Sequence, residues 1–147
     1  MSPATRKDLS VAIAQLMPRI IQGIQLEFLV NRTMTQTQFL VLVAVHSNGR
    51  CPMKILADNM HVSMPTISGI VDRLVKSGYI RRIEDAQDRR QVVVELTPKG
   101  QSMISQFQSV VSRRWQDVLK TLESNDINMF YRIIVKLKNA LQLRGKK

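Results

Sequence analysis

The pattern that most constrains the fold lies in residues 53–100, where two short helices are predicted on either side of a tight connection. The first has an apolar face over residues 53–60. Ser63 suits the N-cap of the second, and Pro65 falls in its first turn, where a missing N–H is not needed. Gly78 follows its end, at the position of a left-handed residue. This order predicts a helix-turn-helix, whose second helix is apolar on one side through Ile67, Ile70, Val71 and Leu74.

Two runs rich in isoleucine and valine follow, over residues 79–84 and 91–97, and they predict a β-hairpin. Val92, Val94 and Leu96 fall on one side of the second run, as expected of a half-buried strand. The first run alternates less regularly. A polar loop over residues 85–90 joins the two and contains Asp88, Arg89 and Arg90.

Helical patterns also precede this segment. Apolar residues at three- and four-residue spacing predict a helix over residues 8–30. Pro18 lies inside it, which predicts either a kink near residues 14–17 or two shorter helices. Thr35 and Gln38 fit a capping box, in which each side chain accepts a hydrogen bond from the other's backbone. The short, almost wholly apolar helix that they open should be buried.

Two helices are predicted after the hairpin. The first begins at Thr97-Pro98 and continues to about Leu122. A break and cap over residues 124–126 precedes the second. This last helix has an apolar seam suited to packing on another helix, formed by Ile127, Phe130, Ile134, Leu137 and Leu141.

Composition narrows the class of partner. The 147-residue chain has a formal net charge of +11, which favours nucleic acid or an anionic membrane surface. The excess is uneven, because residues 101–147 carry a net charge of +6 and residues 63–100 only +2. No apolar run approaches the roughly 20 residues needed to cross a bilayer, and the N-terminus lacks the apolar core of a signal peptide. A cytoplasmic protein with no membrane partner is therefore expected.

The reactive side chains are few. Cys51 is the single cysteine, so neither an intrachain disulfide nor a multi-cysteine metal site is possible. Two histidines are too few for a typical all-protein zinc site. The chain has no Ser/His/Asp set, paired carboxylate system or glycine-rich phosphate loop. We therefore expect neither an enzyme nor a bound cofactor or metal.

The exposed side of the second helix suits DNA instead. It should present Thr66, Ser68, Gly69, Asp72, Arg73 and Lys76. Small hydroxyl side chains and a glycine would let the helix lie deep in a major groove, while the cations reach phosphates. A thin basic loop beside such a helix is suited to the minor groove, where the negative potential attracts arginine.

This segment closely resembles the MarR family of bacterial and archaeal regulators. The specific part is the Asp-x-Arg of the loop, Asp88 and Arg90, followed by valines and Leu96-Thr97-Pro98-Lys99-Gly100. Thr35 and Gln38 match the family's Thr-x-x-Gln opening of the second helix. Outside residues 35–100 only the placement of the helices matches. The other matching residues are Leu56-Ala57, Val62-Ser63, Thr66-Ile67-Ser68, Val71-Asp72-Arg73-Leu74, Gly78-Tyr79-Ile80 and Arg82.

The resemblance implies a mainly α fold with a small β-hairpin wing, of the α+β class. A winged helix-turn-helix DNA-binding domain would occupy residues 33–98, and a discontinuous helical dimerisation domain residues 1–32 and 99–147. It also implies a homodimer that represses transcription from pseudo-palindromic operators. A small effector, often a phenolic or other aromatic anion, or an oxidant, would release the DNA, but no effector-binding residue is indicated.

The same resemblance implies the residues that contact DNA. On the recognition helix these are Ser63, Pro65, Thr66, Ser68 and Arg73, with Gly69 and Lys76 on the same face. In the wing, Arg90 would enter the minor groove with Arg89 beside it, and Asp88 would hold an arginine by a salt bridge. Two features depart from the family. Pro18 interrupts the first helix, and that helix has no cysteine where peroxide-sensing relatives carry theirs.

Other interpretations of these residues stay open at this point. The chain could be a nonspecific architectural DNA-binding protein, or a winged helix that binds proteins. The wing arginines could be solvated loop charges. Cys51 could sense an oxidant with Arg50 beside it, although a lone cysteine is more often structural. His61 could touch a phosphate, and His46 could bind an effector or only face its helix dipole. The basic residues Arg113, Arg114, Lys136 and Lys138 could be a solvated face, an anion site or an additional DNA contact.

Overall fold

The computed structural model describes residues 3–28 and 32–144. The chain forms one compact unit up to Val111 and a second from Ser112 onward. The predicted division into a DNA-binding domain and a dimerisation domain depends on how a homodimer is arranged, so it stays a prediction. The elements in order are α1 (Arg6–Phe28), α2 (Gln36–Asn48), β1 (Cys51–Pro52), α3 (Met53–Met60), α4 (Met64–Lys76), β2 (Ile80–Glu84), β3 (Val92–Leu96), α5 (Pro98–Leu119) and α6 (Ser124–Arg144).

The first helix, α1, is continuous through Pro18, so the alternative of two shorter helices is wrong. Pro18 cannot donate to the carbonyl group of Ala14, but both residues are exposed, so water can solvate that oxygen. The last two residues of the predicted range 8–30 lie outside the described residues.

The predicted capping box opens α2. The hydroxyl of Thr35 accepts from the N–H of Gln38 at 3.2 Å, and the Gln38 side chain accepts from the N–H of Thr35 at 3.0 Å. The helix buries Val41, Leu42 and Val45, as its apolar sequence predicted. It ends at Gly49, which has a φ of 73°.

The strands form a small antiparallel sheet with the order β1-β3-β2. The predicted hairpin is confirmed, with Ile80 opposite Leu96. The two-residue strand β1 was not predicted, because a pair of residues that includes a proline carries no strand periodicity. Its Pro52 pairs with Val93.

This extra strand corrects the predicted burial of β3. Val94 and Leu96 are buried as predicted, but Val92 is 44% exposed and Val93, on the other side of the strand, only 5%. The pairing explains this, because β1 covers the central strand as far as Val93 and ends before Val92. Val92 therefore lies at the loop end of the hairpin, opposite Glu84 and beyond the cover of β1.

The hydrophobic core of the first unit joins the helix-turn-helix to the helices around it. Of the predicted apolar side of the recognition helix α4, Ile67, Val71 and Leu74 are buried and Ile70 is half-buried. Three aromatic rings connect α1, α2 and α5, since the ring centroids of Phe28, Phe39 and Phe107 lie 4.7–5.3 Å apart. Such edge-on and tilted pairs are favourable beyond their buried area.

The last helices differ only slightly from the prediction. Helix α5 ends at Leu119, three residues earlier than expected, and α6 begins at Ser124 within the predicted cap. The predicted seam of α6 is largely exposed at Phe130, Ile134, Leu137 and Leu141. None of the described helices is both long and apolar enough to span a membrane.

Candidate nucleic-acid interface

The recognition helix α4 presents the predicted polar residues on its exposed side. Ser63 is its N-cap, and its hydroxyl accepts from the N–H of Thr66. The same hydroxyl lies 2.9 Å from the Thr66 hydroxyl. Of the predicted contact residues on this helix, Ser68 is half-buried and the others are exposed, namely Ser63, Pro65, Thr66, Gly69, Arg73 and Lys76. The structure thus brings this part of the predicted site together on one face.

The end of α4 is held by backbone and side chain together. Gly78 has a φ of 81°, as predicted, and donates its N–H to Val75 while Tyr79 donates to Leu74. This is the Schellman arrangement that terminates a helix. In addition, the Lys99 ammonium donates to the carbonyl oxygen of Ser77 at 2.7 Å and lies 4.5 Å from the ring centroid of Tyr79. A cation there also faces the negative end of the helix dipole.

The motif Leu-Thr-Pro-Lys-Gly fastens the start of α5 to the same point. Thr97 donates its N–H to the carbonyl oxygen of Tyr79 at 3.1 Å and its hydroxyl to that of Gly78. Gly100 packs so close that an added Cβ would collide with the Tyr79 carbonyl oxygen. The family motif therefore joins the recognition helix to the following helix. The sequence suggested a helix start at Pro98 but not this junction.

The wing loop is ordered by its own aspartates. The Asp88 carboxylate accepts from the backbone N–H of Arg90 at 3.0 Å, and Asp85 accepts from that of Gln87 at 3.0 Å. We expected Asp88 to hold an arginine through a salt bridge, whereas the observed contact is to the backbone. Short aspartate side chains favour such turns because they reach a backbone N–H two residues on. Arg89 and Arg90 are exposed at this loop.

A salt bridge that the sequence analysis missed links the wing to the recognition helix. Arg82 of β2 binds Asp72 of α4, with 2.6 Å between guanidinium nitrogen and carboxylate oxygen. Both residues belong to the quoted motifs, but ten positions separate them. Only the folded arrangement of α4 and β2 makes them neighbours. The pair leaves Arg82 on the side of the sheet that faces the recognition helix.

Between the recognition helix and the wing lies a concavity of about 370 Å³. It is lined by Met53, Lys54, Met64, Ser68, Arg82, Arg90, Gln91 and Val92. Ser68 and Arg90, predicted from separate patterns, thus meet at one surface. Three cations at its edges suit a polyanion, while the methionines and the valine supply apolar surface.

A second cluster of ion pairs is centred on Glu95 and includes Arg81, which precedes Arg82 in β2. Glu95 of β3 binds Arg81 at 2.6 Å and Arg50 at 3.1 Å. These hydrogen bonds, that of Arg81 first, hold the pKa of the Glu95 carboxyl below its usual 4.5 against the opposing effect of burial. Since successive residues of a strand point to opposite faces, Arg81 lies across the sheet from Arg82.

Cys51 does not fit the sensor interpretation. Its side chain is fully buried in β1, and burial raises the pKa of the thiol above its usual 9.0. A reactive cysteine needs exposure and a lowered pKa. His61, in contrast, is exposed in the turn between α3 and α4, with a left-handed φ of 53°. No group of three or more metal-binding side chains occurs in the described residues.

Comparison with known proteins agrees with this geometry. Residues 34–92 match the model of the MarR family. This segment therefore has the sequence of a MarR-family domain. That match covers α2 through the start of β3, so it includes the recognition helix and the wing. The protein is a DNA-binding transcriptional regulator of the winged helix-turn-helix type.

Individual relatives extend the likeness. From Bacillus subtilis (strain 168), the uncharacterized HTH-type transcriptional regulator YfiV is 34% identical over 70 residues, 48% of this chain and 44% of YfiV. YsmB, described likewise, is 26% identical over 79% of this chain and 80% of its own length. The crystal structure of transcriptional regulator Tm0710 from Thermotoga maritima has a TM-score of 0.79 at 20% identity, covering 97% and 99% of the two chains. These proteins are regulators rather than enzymes, consistent with the predicted lack of catalysis.

Proposed function

We propose that this MarR-family chain is a homodimeric repressor that binds a pseudo-palindromic operator and is released by a small effector. One observation carries the proposal. The exposed face of α4 and the tip of the wing border the same concavity, where Ser68, Arg82 and Arg90 meet. A helix in the major groove with a basic loop in the adjacent minor groove requires that arrangement.

Each exposed group has a separate part in this proposal. The first turns of α4 face base edges, because recognition helices enter the groove with their N-terminal residues. Arg73 and Lys76, near the end of α4, contact phosphates. Arg90 enters the minor groove, with Arg89 beside it at the backbone. The Asp88 carboxylate sets the backbone at Arg90, and the Asp72–Arg82 salt bridge holds wing and helix together.

Unpartnered apolar surface supports the homodimer. Within the first unit, α1 exposes Leu9, Val11, Ile13, Leu16, Ile21 and Leu26. Within the second, α6 exposes Met129, Phe130, Tyr131, Ile133, Ile134, Val135, Leu137 and Leu141. Apolar surface of this extent is rare on monomers and typical of interfaces. A dimer would space two recognition helices about 34–36 Å apart, one turn of DNA.

An apolar groove in the first unit supports the effector response. It has a volume of about 190 Å³ and is lined by Ile21, Ile24, Gln25, Gln36, Phe39, Leu40 and Phe107. It lies against α2, which packs on both helices of the helix-turn-helix. A ligand wedged there would shift α2 relative to α1 and α5. Release follows if the ligand binds the shifted dimer, whose half-site spacing is wrong, more tightly than the DNA-bound dimer.

The wing tests the DNA-binding part. Duplexes are first selected from a random-sequence library with the wild-type protein, and the affinity of the best duplex is measured at several salt concentrations. Arg90→Ala should cost about 1–3 kcal/mol and lower the salt dependence by about one released counterion, since it removes one cation from the interface. Arg81→Ala is the matched control, since it removes the same charge from the Glu95 cluster. Equal losses in both variants would exclude a specific role for Arg90.

The alternatives predict different outcomes of the same selection. A nonspecific architectural protein would bind the selected and random duplexes equally. A protein-binding winged helix would bind no duplex even at low salt.

For the dimer, Leu137→Glu should convert the protein to monomers in sedimentation and reduce affinity for a two-half-site duplex. For the effector, benzoate and its phenolic derivatives are the first probes, and they should release the selected duplex. Leu40→Trp, which fills the groove, should abolish this release.

A further inference from the structure

We infer that the protein selects its DNA through apolar contact with thymine methyl groups, made by Met64 at the start of the recognition helix together with Val92 of β3. The inference rests on the proposed placement of α4 in the major groove. It adds the chemical character of the sequence that the helix reads, which the predicted contact residues did not include.

The first turn of α4 presents apolar surface where a recognition helix meets base edges. Met64 is the first residue of the helix and is 47% exposed, and Pro65 after it is exposed as well. A large apolar side chain gains nothing from water at that position. It gains free energy if a methyl group covers it.

The polar groups of this turn are already engaged. The Ser63 hydroxyl caps the helix through the N–H of Thr66 and lies 2.9 Å from the Thr66 hydroxyl. From Ser63 to Gly69 the sequence contains no Asn, Gln, Arg or Lys, the side chains that read adenine or guanine through two hydrogen bonds. The first charged residue of α4, Asp72, is bound to Arg82. These two turns therefore lack a side chain that reads a purine through two hydrogen bonds, and only single contacts by hydroxyls such as that of Ser68 remain.

The adjacent concavity supplies a receptor of matching chemistry. Its apolar lining comes from Met53, Met64 and Val92, and its cations from Lys54, Arg82 and Arg90. In the major groove the thymine methyl is the apolar group of the base pairs, and it projects between two phosphate backbones. Methionine is unbranched and adapts its shape to such a partner. The position of Val92 at the loop end of the hairpin, exposed rather than buried, has the same explanation.

Deoxyuridine tests this directly, because it differs from thymidine only by the missing methyl group. The probe is the duplex of highest affinity selected by the wild-type protein, with thymidines replaced singly by deoxyuridine. At one or more thymines in each half-site the replacement should weaken binding about fourfold, the value expected for burying one methyl group. Met64→Ala or Val92→Ala should make binding insensitive to the replacement at that thymine.

Ile55→Ala is the matched control, since Ile55 is an equally exposed apolar residue, at 46%, on α3 outside the concavity. It should keep the full deoxyuridine effect. The inference is overturned if no replacement weakens binding by the wild-type protein, or if the effect persists in both the Met64 and Val92 variants. Failure to select any duplex would instead overturn the proposed function. The wild-type measurement tests the contact with thymine methyl groups even if a variant does not fold.

Discussion

Gly100 offers the sharpest test of how the recognition helix is held. It lies in the first turn of α5, where helix propensity alone predicts that alanine stabilises by up to about 1 kcal/mol. The structure predicts the opposite. A Cβ at this position would collide with the backbone carbonyl oxygen of Tyr79, which cannot rotate away as a side chain would.

The expected magnitude follows from the contacts that must shift. Forcing extra volume into a packed site costs about 1–3 kcal/mol. The same movement weakens two hydrogen bonds of Thr97, to Tyr79 and Gly78, at about 1 kcal/mol each. After the gain in propensity, Gly100→Ala should destabilise the protein by about 2–4 kcal/mol. For a chain of this length that lowers Tm by about 5–15 °C.

Gly69→Ala is the control within the same protein. Gly69 is exposed in α4, and an added Cβ there meets no atom within 4 Å. Propensity should then act unopposed and stabilise by about 0.5–1 kcal/mol. The assay is thermal unfolding followed by circular dichroism at one protein concentration, because the proposed dimer would make Tm depend on concentration. Equal Tm changes for the two variants would refute the reasoning.

Three further outcomes are expected. Asp72→Ala should change stability by at most about 1 kcal/mol, because the salt bridge to Arg82 is largely exposed, yet weaken binding to the selected duplex; unchanged affinity would separate the pair from DNA recognition. The lowered pKa of Glu95 means that its contribution to stability is complete above its usual pKa of 4.5 and is lost as pH falls through the lowered value. The Tm of Glu95→Gln should therefore fall less than that of wild type between about pH 6 and about pH 3, and parallel curves would contradict this. Finally, the buried Cys51 thiol should react with a disulfide reagent far more slowly in the native protein than in denaturant, and peroxide should leave DNA affinity unchanged; rapid native labelling would overturn this.

Local signals allowed most of the fold to be predicted. The capping box at Thr35, the N-cap at Ser63 and the left-handed Gly78 each depend on a few neighbouring residues, and the structure confirms all three. Pro18 was harder, because whether a proline divides a helix depends on whether solvent reaches the unpaired carbonyl group. That is a property of the folded surface.

The errors concern residues whose environment is set from far along the chain. Val93 is buried because β1 pairs with it, and β1 is too short for any periodic signal. Arg82 and Asp72 pair through the packing of β2 on α4, and Lys99 reaches Ser77 only because α5 begins beside the end of α4. Periodicity and spacing describe single elements. They do not specify which side chains of two elements meet.

The contacts that were missed also explain how a ligand could control DNA binding. The end of α4 is bound to α5 through Lys99 and Thr97, and its middle to the wing through Asp72 and Arg82. Helix α4 and the wing are therefore both connected to the first turn of α5, so a movement of that turn would move both. Phe107, further along α5, lines the apolar groove and contacts Phe28 and Phe39. In the proposed function, a ligand in that groove would therefore act on the helix whose first turn holds the recognition helix. Packed elements shift as rigid bodies rather than deform, so a small displacement at Phe107 is expressed as a change in the position of α4.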